Sequence, residues 1–385
     1  MLMSYFDAYA TAYAPYKAGE WCYEDGCIYR GLACLHAATG EDRWLAHLVR
    51  LVDARLGPDG PAGYDPGEFN IDNVLPARAL IYLWSVTGEA RYLEAARPTA
   101  GQLAQHPRTR SGVYWHKRIY PRQVWLDGLY MGLPFQVEWA QAIGETALVD
   151  DALTQVVTAL ELTAEPATGL YAHGHDESRN QAWSDPRTGR SAAHWARALG
   201  WLAMTLVDVA ELVGPERFRA AGLGGPAGGL MTRLAGLRTP GGLWLQVIDQ
   251  PGLAGNYEES SASAMLAYAL IKAERVGLAA GVAGAGREAL AALEGRAMVR
   301  DDAGRLVLGR ICHVAGLGGY LDRYRDGSPE YYLREAIVSD DPKGVGPLMM
   351  AGAERVRLPR AEPLAERRNH PAPDQPRLAT STGAS

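Results

Sequence analysis

Residues 73–104, NVLPARALIYLWSVTGEARYLEAARPTAGQLA, contain the pattern that decides the fold. Apolar side chains recur at helical spacing over 73–86 and again over 90–104, where the sequence carries more charge. Thr87-Gly88-Glu89 separates the two stretches, and glycine readily adopts the left-handed conformation that ends a helix. The segment therefore predicts two helices joined by a short turn.

The same glycine-centred turn recurs along the chain at intervals of about 48 to 70 residues, as in a helix-pair repeat with variable loops. The other copies are Thr39-Gly40-Glu41, Ile143-Gly144-Glu145, Val213-Gly214-Pro215-Glu216 and the weaker Val276-Gly277. Five copies and a final helix over 343–356 predict about six hairpins. Six hairpins around one axis favour an all-α (α/α)6 barrel over an open solenoid, whose repeats would be more uniform.

The remaining predicted helices cover 129–143, 146–163, 192–213, 259–276 and 285–298. The segments 106–127, 164–190, 237–258 and 299–335 are instead dense in Trp, Tyr, His, Asp and Arg. Long polar and aromatic loops on a regular scaffold are where binding and catalytic residues tend to lie. Within them, 242–248 has the composition of a short β-strand. The Gly- and Pro-rich stretch 220–229 predicts a broken or shortened helix.

Composition and charge exclude several classes of protein. The chain has 385 residues, of which 48% are hydrophobic and 21% charged, as in soluble globular proteins. A net charge of −6 argues against a nucleic-acid-binding protein, which would carry a basic face. The first twenty residues lack the pattern of a secretory signal, and no stretch is long and apolar enough for a spanning helix. We therefore predict a cytoplasmic protein with neither nucleic acid nor membrane as a partner.

The expected domain organisation is one catalytic domain over 1–357 and a disordered tail over 358–385, which is rich in Pro, Arg and Glu. The cysteines form no CxxC pair and no His/Cys cluster at zinc spacing. We interpret them as reduced structural thiols. They are Cys22, Cys27, Cys34 and Cys312.

Two aspartates are candidate catalytic groups, and each has a structural alternative. Asp127 lies in PRQVWLDGLYMGLPF at the start of a predicted helix, where a carboxylate can act as the N-cap. Its aromatic neighbours Trp125 and Tyr130 favour a general acid, because apolar walls raise the pKa of a carboxyl group. Asp72, in PGEFNIDN, is either another helix cap or a second carboxylate that shares acid and base work with Asp127.

A segment dense in His and Trp supplies candidate ligands. His173 and His175 have the spacing of one strand face, which is compatible with a metal site, but the sequence offers no convincing third ligand. Trp195, Arg197 and Trp201 fall on the first turns of a predicted helix. There the guanidinium can fork to a sugar carboxylate while an indole stacks on the ring. The alternative is that the indoles belong to the core and Arg197 to a surface ion pair.

Six ordered segments between Trp21 and Ala353 resemble the unsaturated rhamnogalacturonyl hydrolases of glycoside hydrolase family 105. They are NIDN, YWHKRIYPRQVWLDGLYMGLPF, HGHDESRNQAWSDPRTGRSAAHWARALGWLAM, WLQVIDQPGLAGNYEESSASAMLAYAL, ICHVAGLGG and DGSPEYYLREAIVSDDPKGVGPLMMA. Several long motifs in one order are far more specific than any single motif. The sequence departs from the family pattern at His175, where an aromatic residue is expected.

The resemblance implies an (α/α)6 barrel that uses neither a metal nor an organic cofactor. Its substrate would carry a 4,5-unsaturated galacturonic acid at the non-reducing end, as left by a pectin lyase. Asp127 is similar to the catalytic acid/base of the family and Asp72 to its partner. The residues that match positions binding the unsaturated uronyl ring are Tyr23, His116, His173, Trp195, Arg197 and Trp201. The mechanism implied is hydration of the C4=C5 double bond.

Three other functions remain open at this point. An unsaturated glucuronyl hydrolase acting on glycosaminoglycan fragments would share the fold and the chemistry, although HWARALGW favours the rhamnogalacturonan branch. A sugar-binding helical scaffold would not need both Asp127 and Asp72. An inverting glycosidase on the same barrel would act on saturated glycans instead. The oligomeric state is not indicated by the sequence.

Overall fold

Helices dominate the computed structural model, which describes residues 1–58 and 60–357. The α-helices are α1 (Leu2–Ala12), α2 (Tyr23–Thr39), α3 (Asp42–Asp53), α4 (Arg78–Thr87), α5 (Ala90–Gln105), α6 (Leu126–Ile143), α7 (Thr146–Thr163), α8 (Ala196–Val213), α9 (Pro215–Ala220), α10 (Gly224–Ala235), α11 (Ser260–Arg275), α12 (Ala283–Ala292), α13 (Pro329–Arg334) and α14 (Pro342–Arg357). The predicted tail over 358–385 lies outside the described residues.

Six of these helices form a closed inner ring. In ring order they are α2, α4 with the 3-10 turn Ile71–Ala77 before it, α6, α8, α11 and α14, and α14 packs against α2. The outer helices α3, α5, α7, α9–α10 and α12 each follow an inner helix and pack on it. The inner helices are buried nearly all round, as expected for a layer covered on both sides. The predicted (α/α)6 barrel is confirmed.

The N-terminal helix α1 completes the outer layer and was not among the predicted helices. It packs on α14, the inner helix that has no outer partner after it within the described residues. Leu2, Tyr5, Phe6 and Ala10 are its buried residues and fall at helical spacing. The helical periodicity that predicts α1 was therefore present in the sequence. Tyr5 also donates a hydrogen bond of 2.5 Å to the Asp340 carboxylate, which anchors α1 beside α14.

The seam between α2 and α14 is very close. A Cβ atom at Gly31 would lie 2.8 Å from Met349, and one at Gly346 would collide with the carbonyl of Cys27. No larger side chain fits at either position without separating the two helices. These glycines therefore allow the first and last helices of the inner ring to meet.

The predicted turns are confirmed at Gly40, Gly88 and Gly144, which have φ of 67°, 75° and 78° and end α2, α4 and α6 in the left-handed conformation. The break near 220–229 is also present, because α9 ends at Ala220 and α10 begins at Gly224. However, 224–229 is itself helical, which the composition did not predict.

The β-structure consists of short antiparallel pairs in the loops. The strands are β1 (Leu56–Gly57), β2 (Gly60–Pro61), β3 (Gln123–Trp125), β4 (Ala164–Glu165), β5 (Leu170–Tyr171), β6 (Gly174–Asp176), β7 (Met298–Arg300), β8 (Leu306–Leu308), β9 (Ile311–Cys312), β10 (Gly318–Tyr320), β11 (Arg323–Arg325) and β12 (Ile337–Val338). The expected strand over 242–248 is wrong: only isolated bridges form there, from Leu245 to Glu258 and from Val247 to Trp195.

A network of buried ion pairs lies inside the barrel. Arg78 on α4 bonds to Glu138 on α6 at 2.7 Å and to Asp208 on α8 at 2.9 Å. Lys272 on α11 bonds to the same Asp208 at 2.8 Å.

The network extends to the first and last inner helices. Arg30 on α2 lies 3.9 Å from Glu138. A further chain through Glu211 and Arg275 reaches Glu354 on α14, so every inner helix contributes a charge.

None of the helices in the described part of the chain is long and apolar enough to cross a membrane.

We predict that Asp208→Asn lowers the free energy of unfolding by about 3–5 kcal/mol, because Arg78 and Lys272 would remain buried with reduced compensation. Burial alone would raise the pKa of Asp208, but the two cations outweigh burial and hold the pKa well below its usual value. The stability that this carboxylate contributes is therefore present above its unfolded-state pKa and lost as the pH falls. Urea unfolding at neutral pH measures the change.

The matched control is Asp150→Asn, which breaks an exposed 2.6 Å ion pair with Arg217. Surface pairs of this kind contribute about 0–1 kcal/mol. Equal losses in the two variants would contradict the structural importance of the buried network.

Candidate active site

A cavity opens at the end of the barrel where the inner helices begin. Its lining includes Tyr23 at the start of α2, Asp72 in the 3-10 turn before α4, Asp127 in α6, Arg197 in α8 and Lys343 in α14. Asp72 lies in the turn that leads into α4, and the other four residues lie in the first turn of their inner helices. The positive ends of the helix dipoles therefore converge on the cavity and favour an anionic ligand.

Asp127 is the second residue of α6, and α6 begins directly after β3. The N-cap position is occupied by Trp125 and no side chain caps the helix, so the capping alternative for Asp127 is wrong. The carboxylate is 14% exposed. Its Oδ2 atom is buried, lies 3.1 Å from Nε2 of His173 and has no hydrogen-bond partner among the described residues. Trp125 and Trp195 line the same cavity.

Asp72 has very different surroundings. Its Oδ2 atom forms a 2.6 Å ion pair with Nζ of Lys117, and its Oδ1 atom lies 3.7 Å from Nε2 of His116. Burial alone would raise the pKa of Asp72, but the charge of Lys117 outweighs burial and lowers the pKa. Asp72 is thus held as a carboxylate. The 3-10 turn is capped by Asn70, whose side chain accepts a hydrogen bond from the Asp72 backbone N–H. The alternative that Asp72 is a helix cap is therefore wrong.

His116 is the inner member of an aromatic stack at the cavity wall. Its ring lies 4.2 Å from Trp125 at an angle of 17°, and Tyr120 lies 4.9 Å from the same indole. Burial lowers the pKa of His116 to about 4 despite the attraction of Asp72. The imidazole is therefore neutral near pH 7 and serves as a hydrogen-bonding group.

Arg197 is buried in the cavity wall, at 1% exposure. Its guanidinium lies 4.7 Å from the centre of the Trp195 ring. It donates to the Ser261 hydroxyl at 3.1 Å and to the carbonyl oxygens of Cys312 and His313. The surface ion-pair alternative is wrong, because Arg197 is buried and has no carboxylate within ion-pair distance in the described structure. Besides lining the cavity, Arg197 ties the loop after β9 to the barrel.

The remaining predicted residues divide between the cavity wall and the layer behind it. Tyr23, Trp195 and Trp201 line the cavity, and Trp201 stacks on Tyr130 at 5.2 Å and 24°. His173 is fully buried behind Asp127 and is absent from the cavity lining. Its role in binding the sugar ring stays a prediction.

His175 lies away from this cavity. It is in β6, which pairs with β3, and its ring packs against Gly189. No group of three or more His, Cys, Asp and Glu residues in the described part of the chain is placed to hold a metal ion.

Several residues at the site were not singled out from the sequence. Lys117 immediately follows His116, but nothing in the sequence shows that it pairs with Asp72. Arg325 comes from a distant loop and lines the cavity while donating to the Tyr120 hydroxyl at 2.9 Å. The sequence indicated only that the segment 299–335, which contains Arg325, is rich in polar and aromatic residues.

Positive charge exceeds negative charge around the cavity. The lining includes five cationic side chains and three carboxylates, namely Lys17, Lys117, Arg197, Arg325 and Lys343 against Glu24, Asp72 and Asp127. Among the described residues, neither arginine has a carboxylate within ion-pair distance. The two guanidiniums and the helix N-termini together make an environment suited to an anionic ligand of sugar size.

Comparisons with known proteins identify relatives of this chain. The family model described as Glycosyl Hydrolase Family 88 matches residues 4–359. A structure of a glycoside hydrolase from family 105 of C. acetobutylicum ATCC 824 is 34% identical, with a TM-score of 0.85, and the match covers 93% of this chain and 98% of that one. The unsaturated rhamnogalacturonyl hydrolase YesR of Bacillus subtilis is 28% identical over 262 residues, covering 66% of this chain and 72% of YesR. A 24.9 kDa protein in the picA locus of Rhizobium radiobacter is 54% identical over 235 residues, covering 60% of this chain and all of that protein.

We predict that Lys117→Met raises the pKa of Asp72 above its usual value, because burial would then act without the 2.6 Å ion pair. Asp72 would lose part of the stability that it contributes at neutral pH, since that contribution depends on its lowered pKa. Carbon-detected NMR titration measures the pKa, with Asp72→Asn used to assign the signal.

The matched control is Lys17→Met, because Lys17 lines the same cavity but pairs with Glu24 at 3.3 Å. It should raise the pKa of Asp72 much less than Lys117→Met does, because Lys17 acts on Asp72 only through its charge and forms no ion pair with it. If the two lysine variants shift the Asp72 titration equally, the specific pairing with Lys117 is refuted.

Proposed function

Since the chain belongs to glycoside hydrolase family 105 and matches the family 88 model along nearly all of its described length, we propose that it hydrolyses unsaturated uronyl oligosaccharides. The proposed substrate is a rhamnogalacturonan fragment of pectin with a 4,5-unsaturated galacturonyl residue at its non-reducing end. The observation that carries the proposal is a pair of carboxylates, Asp127 and Asp72, in contrasting environments within one cationic cavity.

The contrast between the two carboxylates supports a division of roles. Asp72 is held ionised by Lys117, so it is suited to hydrogen bonding and to stabilising positive charge. Asp127 has no cationic side chain of Lys or Arg within ion-pair distance in the described structure, and it lies among indole rings. It is the better candidate for carrying a transferable proton.

The proposed reaction begins with protonation of the substrate. The Asp127 carboxyl group transfers its proton to C4 of the C4=C5 enol ether, and the π electrons form the new C4–H bond. Positive charge then develops at C5 and the ring oxygen. Carboxylates of Asp127 and Asp72 near this centre stabilise the charge electrostatically.

Water completes the reaction. A water molecule adds to C5 and gives up a proton to the Asp127 carboxylate, which restores the acid. The resulting hemiketal opens: the C5–OH group loses its proton, C5=O forms, and the ring C5–O5 bond breaks with protonation of O5. This leaves a hemiacetal at C1, which collapses to an aldehyde as the C1–O bond to the aglycone breaks, and the O5 proton is passed through water to the departing aglycone. The sugar product is a 4-deoxy-5-keto-uronate. Neither a metal nor an organic cofactor takes part in these steps.

Recognition of the uronate carboxylate is assigned to the cationic wall. Arg197 is buried beside Trp195, and hydrogen bonds to Ser261 and to the Cys312 carbonyl hold its guanidinium in place. A sugar ring placed against Trp195 or Trp201 would direct its carboxylate toward this side of the cavity. His116, neutral near pH 7, is available to hydrogen-bond a ring hydroxyl.

Two further aspects of the proposal concern the substrate branch and the compartment. The similarity to YesR supports rhamnogalacturonan fragments over glycosaminoglycan fragments. All four cysteines, Cys22, Cys27, Cys34 and Cys312, are buried and free. Free thiols suit a reducing compartment, which supports action in the cytoplasm.

Incubation with lyase-generated oligosaccharides tests the proposed function. Unsaturated rhamnogalacturonan oligomers should lose the ultraviolet absorbance of their conjugated double bond. Unsaturated glycosaminoglycan disaccharides should react more slowly, and saturated oligomers should not react. Preference for the glycosaminoglycan substrate would instead identify the protein as an unsaturated glucuronyl hydrolase. Binding without turnover would indicate a sugar-binding scaffold, and cleavage of only the saturated oligomers a conventional glycosidase.

We predict that Asp127→Asn lowers kcat by at least ~10²-fold, because asparagine keeps the shape of the side chain but cannot deliver the proton. Steady-state kinetics measure kcat, and calorimetry on the variant should show that substrate binding is largely retained. Asp150→Asn, on the outer surface, is the control and should retain normal turnover. An Asp127→Asn enzyme with near-normal kcat would refute the assignment.

We predict that activity survives prolonged treatment with a chelator, because the proposed steps use only protons and fixed charges. Activity is measured before and after removal of divalent ions by dialysis. Loss of activity that is restored by one added divalent ion would show that a metal takes part.

A further inference from the structure

A buried phenol–imidazole–carboxylate chain lies behind the cavity. The Tyr332 hydroxyl is 2.7 Å from Nδ1 of His173, and Nε2 of the same ring is 3.1 Å from Oδ2 of Asp127. We propose that Tyr332 is a positioning residue that holds His173 with its Nε2–H toward Asp127 Oδ2, so that Oδ1 is the oxygen that exchanges the proton with substrate. This inference rests on the proposed function only in the role given to Asp127.

The chain is rigidly packed. Both Tyr332 and His173 are fully buried. The Tyr332 ring stacks on Trp195 at 5.7 Å and 11°, and its backbone carbonyl accepts a hydrogen bond from Gln246 at 3.0 Å. The His173 ring is also enclosed by Trp125 and Trp195 at 5.5 and 5.0 Å. Neither ring has room to turn away, so the contact between them is a fixed part of the site.

The hydroxyl proton of Tyr332 determines the state of the imidazole. Its only hydrogen-bond partner among the described residues is His173 Nδ1. Burial raises the pKa of Tyr332 well above its usual value, so the phenol keeps its proton. If His173 Nδ1 carried a hydrogen instead, the buried phenol O–H would have no acceptor, which is unfavourable. The phenol therefore donates, and the hydrogen of the neutral ring lies on Nε2.

The Nε2–H group in turn distinguishes the two oxygens of Asp127. Nε2 and Oδ2 are both buried and neither has a hydrogen-bond partner elsewhere in the described structure. The two atoms are 3.1 Å apart but are not aligned for a hydrogen bond. Catalytic hydrogen bonds that are poorly aligned in the free protein commonly shorten and straighten when substrate binds. Since Oδ2 is buried, the accessible part of the carboxylate lies on the Oδ1 side. Proton transfer with the substrate is thereby directed to one oxygen.

Other titratable groups also act on this chain and are the same in the wild type and in Tyr332→Phe. Tyr331, Arg325 and Asp326 lie close enough to influence Tyr332 electrostatically. His116 is the other imidazole that interacts with both His173 and Asp127. A change seen on removing only the Tyr332 hydroxyl is therefore attributable to that hydroxyl.

The test combines Tyr332→Phe with Tyr331→Phe as a matched control. Both substitutions remove one phenol hydroxyl from α13, but the Tyr331 hydroxyl accepts from the Gly316 backbone N–H and forms no hydrogen bond with His173 in the described structure. The first measurement is the tautomer of His173, read from the ¹⁵N shifts of histidine-labelled protein, with His173→Gln to assign the signal. This readout requires no substrate and remains valid whatever reaction the protein catalyses.

We expect the wild type and Tyr331→Phe to show the Nε2–H form of His173, and Tyr332→Phe to show a mixture of forms or a protonated ring. In kinetics on the unsaturated substrate, Tyr332→Phe should lose about three- to tenfold in kcat with little change in KM. The alkaline limb of its pH–rate profile should also move. A protonated His173 ring favours the carboxylate of Asp127 and moves the limb to lower pH, whereas the Nδ1–H form turns an Nε2 lone pair toward Asp127, favours the acid and moves the limb to higher pH.

Two outcomes would overturn the inference. One is an Nδ1–H tautomer in the wild type, and the other is an unchanged tautomer and pH profile in Tyr332→Phe. A merely structural role for Tyr332 predicts a lower melting temperature with an unchanged pH profile. If no unsaturated substrate is turned over, the proposed function fails, whereas the tautomer measurement still decides the role of Tyr332.

Discussion

The buried ion pairs around Asp208 are the interaction on which the rest of the barrel depends. Burying charges is costly unless they are paired and hydrogen-bonded, so each helix that contributes a charge must remain in register with its neighbours. The network also reaches the candidate active site. Arg78 lies 5.5 Å from the centre of the Tyr130 ring, and Tyr130 stacks on Trp201 in the cavity wall. The floor of the cavity is therefore supported by the same charges that hold the inner helices together.

The direction of the inner helices explains why the cavity lies at one end of the barrel. Because inner and outer helices alternate along the chain, all six inner helices start at the same end. Their N-termini attract an anion, while the loops that precede them supply the aromatic walls. Within this common field, local partners separate the two carboxylates: Lys117 fixes the charge of Asp72, and indole rings surround Asp127. One scaffold thus provides two carboxylates of different chemical character.

The fold was predictable because it depends on local patterns. Glycine turns and helical periodicity identified the inner helices, and motifs at their first turns placed Asp72, Asp127, Trp195 and Arg197 at one end. Contacts between distant segments could not be predicted in this way. Tyr332 reaches a histidine 159 positions earlier, and nothing in the local sequence marks that contact. The expected strand over 242–248 failed because its backbone pairs with single residues of neighbouring loops instead of with a second strand.

The seam between α2 and α14 has a consequence for the synthesis of the protein. These helices pack closely at Gly31 and Gly346, yet one lies near the start of the described chain and the other at its end. At typical translation rates, the roughly 300 residues between them take about 15 to 60 seconds to make. During that time the face of α2 that packs on α14 is uncovered. That face is therefore exposed to aggregation until α14 leaves the ribosome, and a chaperone that shields it would be useful for that interval.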